Sequence, residues 1–189
     1  MRFFLKLFGV LIGGTVLGLA ATWFTVVRGA MPGGLENGVW ATSLATGSAQ
    51  GDSYTRAAVA LHGLLALNRR ETIYFTASRD ASGAALDGHC RYVVAGRDPD
   101  ARWWSVTAYG ADDYLIPNPE NRYSVGKTDV ERDAQGRFAI AVGGPPGNPN
   151  RIALAPGHFT LTLRLYNPGA DVALDPGQAE LPTVTKAGC

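Results

Sequence analysis

The sequence predicts a mainly β protein: a jelly-roll-like β-sandwich with one amphipathic helix, preceded by an N-terminal transmembrane helix. Three observations lead to the sandwich. Residues 102–109 and 158–166 alternate in side-chain character with the period of two that marks a strand. Turn-forming residues interrupt the chain roughly every ten residues. With 24 glycines, 11 prolines and only 17% charged residues, the composition suits short strands and tight turns better than a helical bundle. The membrane helix rests on residues 7–27, which hold no charged side chain.

That apolar run would span roughly 30 Å as a helix, the thickness of a bilayer core. Arg2 and Lys6 precede it and only Arg28 follows closely, so the positive-inside rule puts the N-terminus in the cytoplasm. A cleaved signal peptide is the competing reading. Its apolar region is usually shorter, about 7–15 residues, and ends in a small-x-small site. Trp23 and Phe24 stand where cleavage would fall and suit an interfacial anchor instead. Gly9/Gly13 and Gly14/Gly18 have the small-xxx-small spacing of packed membrane helices, although glycine is frequent in such helices anyway.

The chain divides into an anchor (1–30), a linker or extended arm (31–52) and a sandwich domain (53–189). In the domain, Asp52 or Ser53 caps a helix whose Tyr54, Ala57, Ala58, Leu61, Leu64 and Leu65 share one face, with Asn68 closing it. From Glu71 the period changes to two. Strands are expected at 72–78, 89–94, 102–109, 121–125, 137–142 and 158–166, with a short start at 114–116 before Pro117 and Pro119 forbid pairing. Asp80-Ala81-Ser82-Gly83 and Asp133-Ala134-Gln135-Gly136 are type I turns by composition. Large aromatics on both sides of 102–109 suit a central strand. A closed barrel is the less favoured arrangement of the same strands.

Several of these residues carry a family likeness. They are Tyr54-x-Arg56-Ala57, Tyr74-Phe75, Leu86-Asp87-Gly88, Arg102-Trp103-Trp104-Ser105-Val106-Thr107-Ala108-Tyr109, Leu115-x-x-Asn118, Asn121-Arg122-Tyr123-Ser124 and Leu163-Arg164-Leu165-Tyr166-Asn167-Pro168. Over residues 54–182 the chain resembles the bacterial proteins with domain of unknown function 1214 (DUF1214), often found beside a companion, domain 1254 (DUF1254). The resemblance implies a jelly-roll-like sandwich in a short, membrane-anchored form, and brings no catalytic residues. One departure stands out: an Asn-Trp-Leu-Pro-like stretch before the last strand is replaced by Asn150-Arg151-Ile152-Ala153-Leu154-Ala155-Pro156.

Chemistry is sparse. His62, His89 and His158 have no metal-ligand spacing, and two cysteines do not make a zinc site, so neither a metal nor a cofactor is expected. There is no nucleophile elbow, P-loop or dinucleotide fingerprint. A formal net charge of +1 gives no footing for nucleic acid. The candidate ligand site is Asp112 and Asp113 with Tyr109, Asn118 and Arg122, since paired carboxylates among aromatics are what a glycan site uses. Against it, Asp112 and Asp113 serve as turn residues, and Asn118 and Arg122 as ties for a proline-broken loop. The turn reading is the stronger.

The expected function is therefore a non-catalytic envelope module: a single-pass protein of the bacterial inner membrane with its domain in the periplasm. Its partner would be an envelope protein or polymer, a DUF1254-type protein among them. The alternative is an enzyme acting on envelope glycan or a related polar substrate. An oxidising compartment also predicts a disulfide between Cys90 and Cys189, with Cα atoms about 4.4–6.8 Å apart. Its competitor is a buried Cys90 with Cys189 free or joined to a second molecule.

Overall fold

The computed structural model describes residues 2–27, 34–49, 51–61 and 66–189. The elements in order are α1 (Arg2–Val27), β1 (Gly34–Asn37), β2 (Trp40–Ser43), α2 (Ser53–Leu61), β3 (Thr72–Ala77), β4 (Arg91–Arg97), β5 (Ala101–Gly110), β6 (Ser124–Gly126), β7 (Arg137–Val142), β8 (Arg151–Ile152), β9 (Phe159–Pro168), α3 (Ala170–Leu174), a 3-10 turn (Pro176–Gln178) and β10 (Thr183–Gly188). One sheet has the order β1-β2-β3-β9-β5-β6 and the other β10-β4-β7-β8. The fold is mainly β, as the alternation predicts.

The two sheets meet through their apolar sides. Ile73, Phe75 and Ala77 of β3, Trp104, Val106 and Ala108 of β5, and Phe159, Leu161, Leu163 and Leu165 of β9 are all buried. They face Tyr92 and Val94 of β4 and Phe138, Ile140 and Val142 of β7. Trp104 lies 4.7 Å from Phe138, and Tyr92 lies edge-on 5.7 Å from Phe159, centroid to centroid. Burying a side chain of this size contributes about 1.5–3 kcal/mol, so these rings and branched chains hold the layers together. β9 is the centre of the larger sheet, pairing antiparallel with β3 on one side and β5 on the other.

Local chemistry sets the ends of the strands. Gly83 donates its N–H to Asp80 at 2.9 Å and Gly136 donates to Asp133 at 3.0 Å, closing both expected turns. Gly126 has a different reason to be glycine: a Cβ there would come within 2.7 Å of the Trp103 ring. The strand expected from His89 begins instead at Arg91. Asp87 accepts from the His89 N–H at 2.9 Å and from the Cys90 N–H at 2.9 Å, so a tight turn holds residues 87–90 out of the ladder. The strand expected from Asn121 begins at Ser124, because Asn121 is left-handed at φ 51°. At 114–116 only a single bridge forms, Tyr109 to Leu115.

Several segments differ from their expected form. The polar arm contains a hairpin, β1–β2, turned at Gly38 with φ 62°. Its Trp40 is fully buried and donates Nε1–H to the Pro182 carbonyl at 2.6 Å. In α2, Asp52 is the cap, accepting from the Thr55 N–H at 2.7 Å. The buried residues are Thr55 and Ala58, while Tyr54, Ala57 and Leu61 are exposed, which corrects the expected apolar face. Small side chains let this short helix sit close to the end of α1, where Val26 is also buried. Leu64, Leu65 and His62 lie outside the described residues, as do Met31, Pro32 and Gly33. Asn68 forms a turn, its carbonyl accepting from Glu71 and Thr72 at 2.9 Å.

α1 is long and apolar enough to cross a membrane, and no residue of its most apolar stretch is buried. Near the other end of the chain, the residues before Cys189 form the strand β10, paired antiparallel with β4. Cys90 and Cys189 are joined by a disulfide across 99 residues. Their Cα atoms are 3.9 Å apart, below the expected range. Gly188 pairs with Arg91 at the end of the ladder, and the two cysteines are the next residues beyond that pair, which brings them together.

Candidate functional site

The five residues singled out by sequence lie at the end of β5 and in the loops that follow it. Beyond β5 the chain turns at once: Gly110 donates to Tyr114 O at 2.9 Å, and Asp113 donates to Gly110 O at 3.0 Å. Asp113 is left-handed at φ 63°, a conformation Asp and Asn tolerate better than most residues. The Asp112 carboxylate accepts from the Tyr114 N–H at 3.2 Å, and both aspartates are exposed. Asn118 accepts from the Arg122 N–H at 3.0 Å and donates to Ile116 O at 3.1 Å, tying down the proline loop. The Arg122 guanidinium reaches the Pro149 carbonyl. Four of the five therefore hold local loops together.

Tyr109 is different. The period of two puts Trp103, Ser105, Thr107 and Tyr109 of β5, with Thr160, Thr162, Arg164 and Tyr166 of β9, on the side of the sheet opposite Trp104 and Leu163. There Ser105, Thr107 and Thr162 are themselves buried beneath the longer side chains, and Trp103, Tyr109, Thr160, Arg164 and Tyr166 are part-exposed. The register sets Arg164 opposite Tyr74 on one side and Ser105 on the other. From there the arginine runs along the sheet. Its Nη1 donates to Thr107 Oγ1 at 3.2 Å and its Nη2 donates to the Tyr109 hydroxyl at 2.6 Å. The guanidinium carbon lies 5.2 Å from the centre of the Tyr109 ring and 5.9 Å from that of Tyr74, both within cation–π range. Trp103 and Tyr166 pair alongside at 5.3 Å.

This outer face is the strongest candidate surface of the molecule. Arg164 is half-buried, between a neutral hydroxyl and two rings. Burial pushes the Tyr74 phenol above its ordinary value of 10.0, against the pull of the Leu67 backbone and of Arg164, so this wall stays neutral. Sequence reasoning named Arg164 only within the family likeness. The signal was there: a lone charge breaks the Thr–Leu alternation in the middle of the strand.

A separate groove of about 710 Å³ opens between the β1–β2 hairpin and the start of β10, with Trp40, Arg79, Asp80 and Pro182 among its walls. The Asp80 carboxyl is held below its ordinary 3.8, first by the Ser82 hydroxyl, which makes it an ionised turn residue rather than an acid. Among the described residues no group of three or more His, Cys, Asp or Glu side chains is placed to hold a metal ion.

Comparison with known proteins agrees with the fold. A crystal structure of the VPA0106 protein from Vibrio parahaemolyticus is 26% identical, with a TM-score of 0.61, covering 73% of this chain and 36% of that one. An uncharacterised protein from Burkholderia cenocepacia is 17% identical with a TM-score of 0.43, covering 61% of this chain and 29% of that one. This chain thus spans about a third of the length of the solved relatives. No curated protein matches it. The model of the family described as Protein of unknown function (DUF1214) matches residues 71–170, from the start of β3 to the start of α3. The match takes in Tyr74, the tryptophan strand and Arg164, and the chain belongs to the DUF1214 family.

Proposed function

We propose that the chain is a membrane-tethered, non-catalytic binding module whose domain works in the bacterial periplasm. The observation that carries this reading is the outer face of the larger sheet, where rings, hydroxyls and a half-buried arginine are presented together. The long apolar helix supports a tether, and the charge asymmetry of Arg2 and Lys6 against Arg28 supports a cytoplasmic N-terminus in the inner membrane. The disulfide supports an oxidising compartment. Engagement of Asp112 in its own turn supports binding over glycan cleavage. The partner is an envelope polymer or protein, with a DUF1254-type protein as one form of it.

Two measurements test this. Alkaline phosphatase fused after Cys189 is expected to be active in cells, and activity of a cytoplasmic reporter at the same place would refute the orientation. The full chain in non-ionic detergent is expected to sediment with isolated cell-wall sacculi without releasing soluble fragments. Failure to sediment argues against polymer binding, and fragment release favours the enzyme reading.

A further inference from the structure

We infer that the face around Arg164 receives a carboxylate carried on an envelope saccharide. This rests on the binding-module reading and names the chemistry that the module holds. Hydrogen-bond direction is the starting point. A guanidinium has five N–H donors and no acceptor, so Thr107 Oγ1 and the Tyr109 hydroxyl both accept from Arg164. Each hydroxyl must then direct its own proton elsewhere. Thr107 is buried, and among the described residues nothing accepts a hydrogen bond from either hydroxyl.

Charge points the same way. Arg132 is paired with Asp98, Arg137 with Asp133, and Arg151 with Glu120. Among the described residues no carboxylate lies within ion-pair distance of Arg164, although it sits at the centre of the sheet rather than on a loose edge. The middle of this face is therefore rich in donors and poor in acceptors, and it carries a positive charge.

Geometry selects the anion. Rings at 5.2 and 5.9 Å restrain the guanidinium, leaving a planar fork to meet a planar carboxylate through two parallel N–H···O bonds. The Tyr109 O–H stands beside that fork as a further donor. Of the hydroxyls on this side of the sheet Ser105 and Thr162 are buried, and part-exposed Thr160 is the one that can meet a sugar hydroxyl, while the Trp103–Tyr166 pair offers apolar ring surface. A bare phospholipid headgroup would use the charge and leave these neighbours without a role.

The test uses the full chain in phosphatidylcholine nanodiscs, titrated with polygalacturonate oligomers and with the same oligomers methyl-esterified. Only the acidic form is expected to bind, and more weakly as salt rises. Arg164→Gln should weaken binding by about tenfold or more, the scale of a charge-assisted hydrogen bond. Arg164→Lys should keep part of it, since the charge remains without the fork. Tyr109→Phe should weaken binding by roughly several-fold without lowering the melting temperature. Equal binding of the esterified oligomer overturns the inference. So do wild-type affinity in Arg164→Gln, binding of neither oligomer, or binding of phosphatidylglycerol vesicles in their place. If Arg164→Gln fails to fold, Arg164→Lys and Tyr109→Phe decide. In each of these failures sedimentation with sacculi still tests the module reading on its own.

Discussion

Cys90, the residue before β4, is bonded to Cys189, the residue after β10, so one covalent bond fastens the end of the edge strand of the smaller sheet to its neighbour. Cys189→Ser is expected to lower stability by about 2–4 kcal/mol, the usual range for a native disulfide, with the chain-entropy value for so long a loop as its ceiling. Denaturant melts of the oxidised, reduced and mutant proteins measure this. Thiol labelling of the denatured, unreduced chain should find no free cysteine, and two labels per molecule would refute the bond.

Leu163 is fully buried and stands between Phe75 of β3 and Val106 of β5 in the ladder. Leu163→Ala should cost about 2–5 kcal/mol through lost burial and a residual cavity. Chemical denaturation reads the loss directly. A change below about 1 kcal/mol, typical of peripheral sites, would mean that β9 is not the centre of the fold.

The acidic turn gives an opposite expectation. Asp113 is exposed and left-handed, a backbone conformation asparagine also adopts. Asp113→Asn should shift stability by no more than about 0.5 kcal/mol and leave sacculus binding intact. Loss of binding at unchanged melting temperature would instead make this turn a site.

Acid should destabilise the domain. The carboxyls of Asp80, Asp87 and Asp133 lie below their ordinary value of 3.8, held first by the Ser82 hydroxyl, the His89 N–H and the Arg137 N–H respectively. Because the folded values are the lower ones, their stabilisation is present above 3.8 and disappears as pH falls through the folded values. Melting temperature should therefore drop as pH is taken below about 4, and Asp133→Asn should flatten part of that slope. A melting temperature that holds or rises on acidification would contradict this.

The sequence exposed the parts of the fold that local pattern dictates. Leu161, Leu163 and Leu165 alternate with polar neighbours whatever they pair with, so β9 and its inward face could be read directly. The disulfide was expected from there being two cysteines and from the reading of residues 7–27 as a membrane anchor, which implied an oxidising compartment. Harder to see were ends fixed by single side chains, such as Asp87 delaying β4 until Arg91. β10 was hidden because an edge strand needs only one partner, and that partner lies about ninety residues earlier. The candidate surface was hardest of all. Arg164 and Tyr109 are 55 positions apart, and only the β5–β9 register brings them together.

The position of β9 also has a consequence in time. It pairs with both β3 and β5, yet it is made some fifty residues after β5 is complete. A chain emerging from its N-terminal end must keep two strands apart, each with a bare edge and an apolar side, until the strand between them arrives. Pairings this distant in sequence fold slowly and leave sticky edges exposed meanwhile. The yield of folded domain should therefore fall as chain concentration rises during refolding.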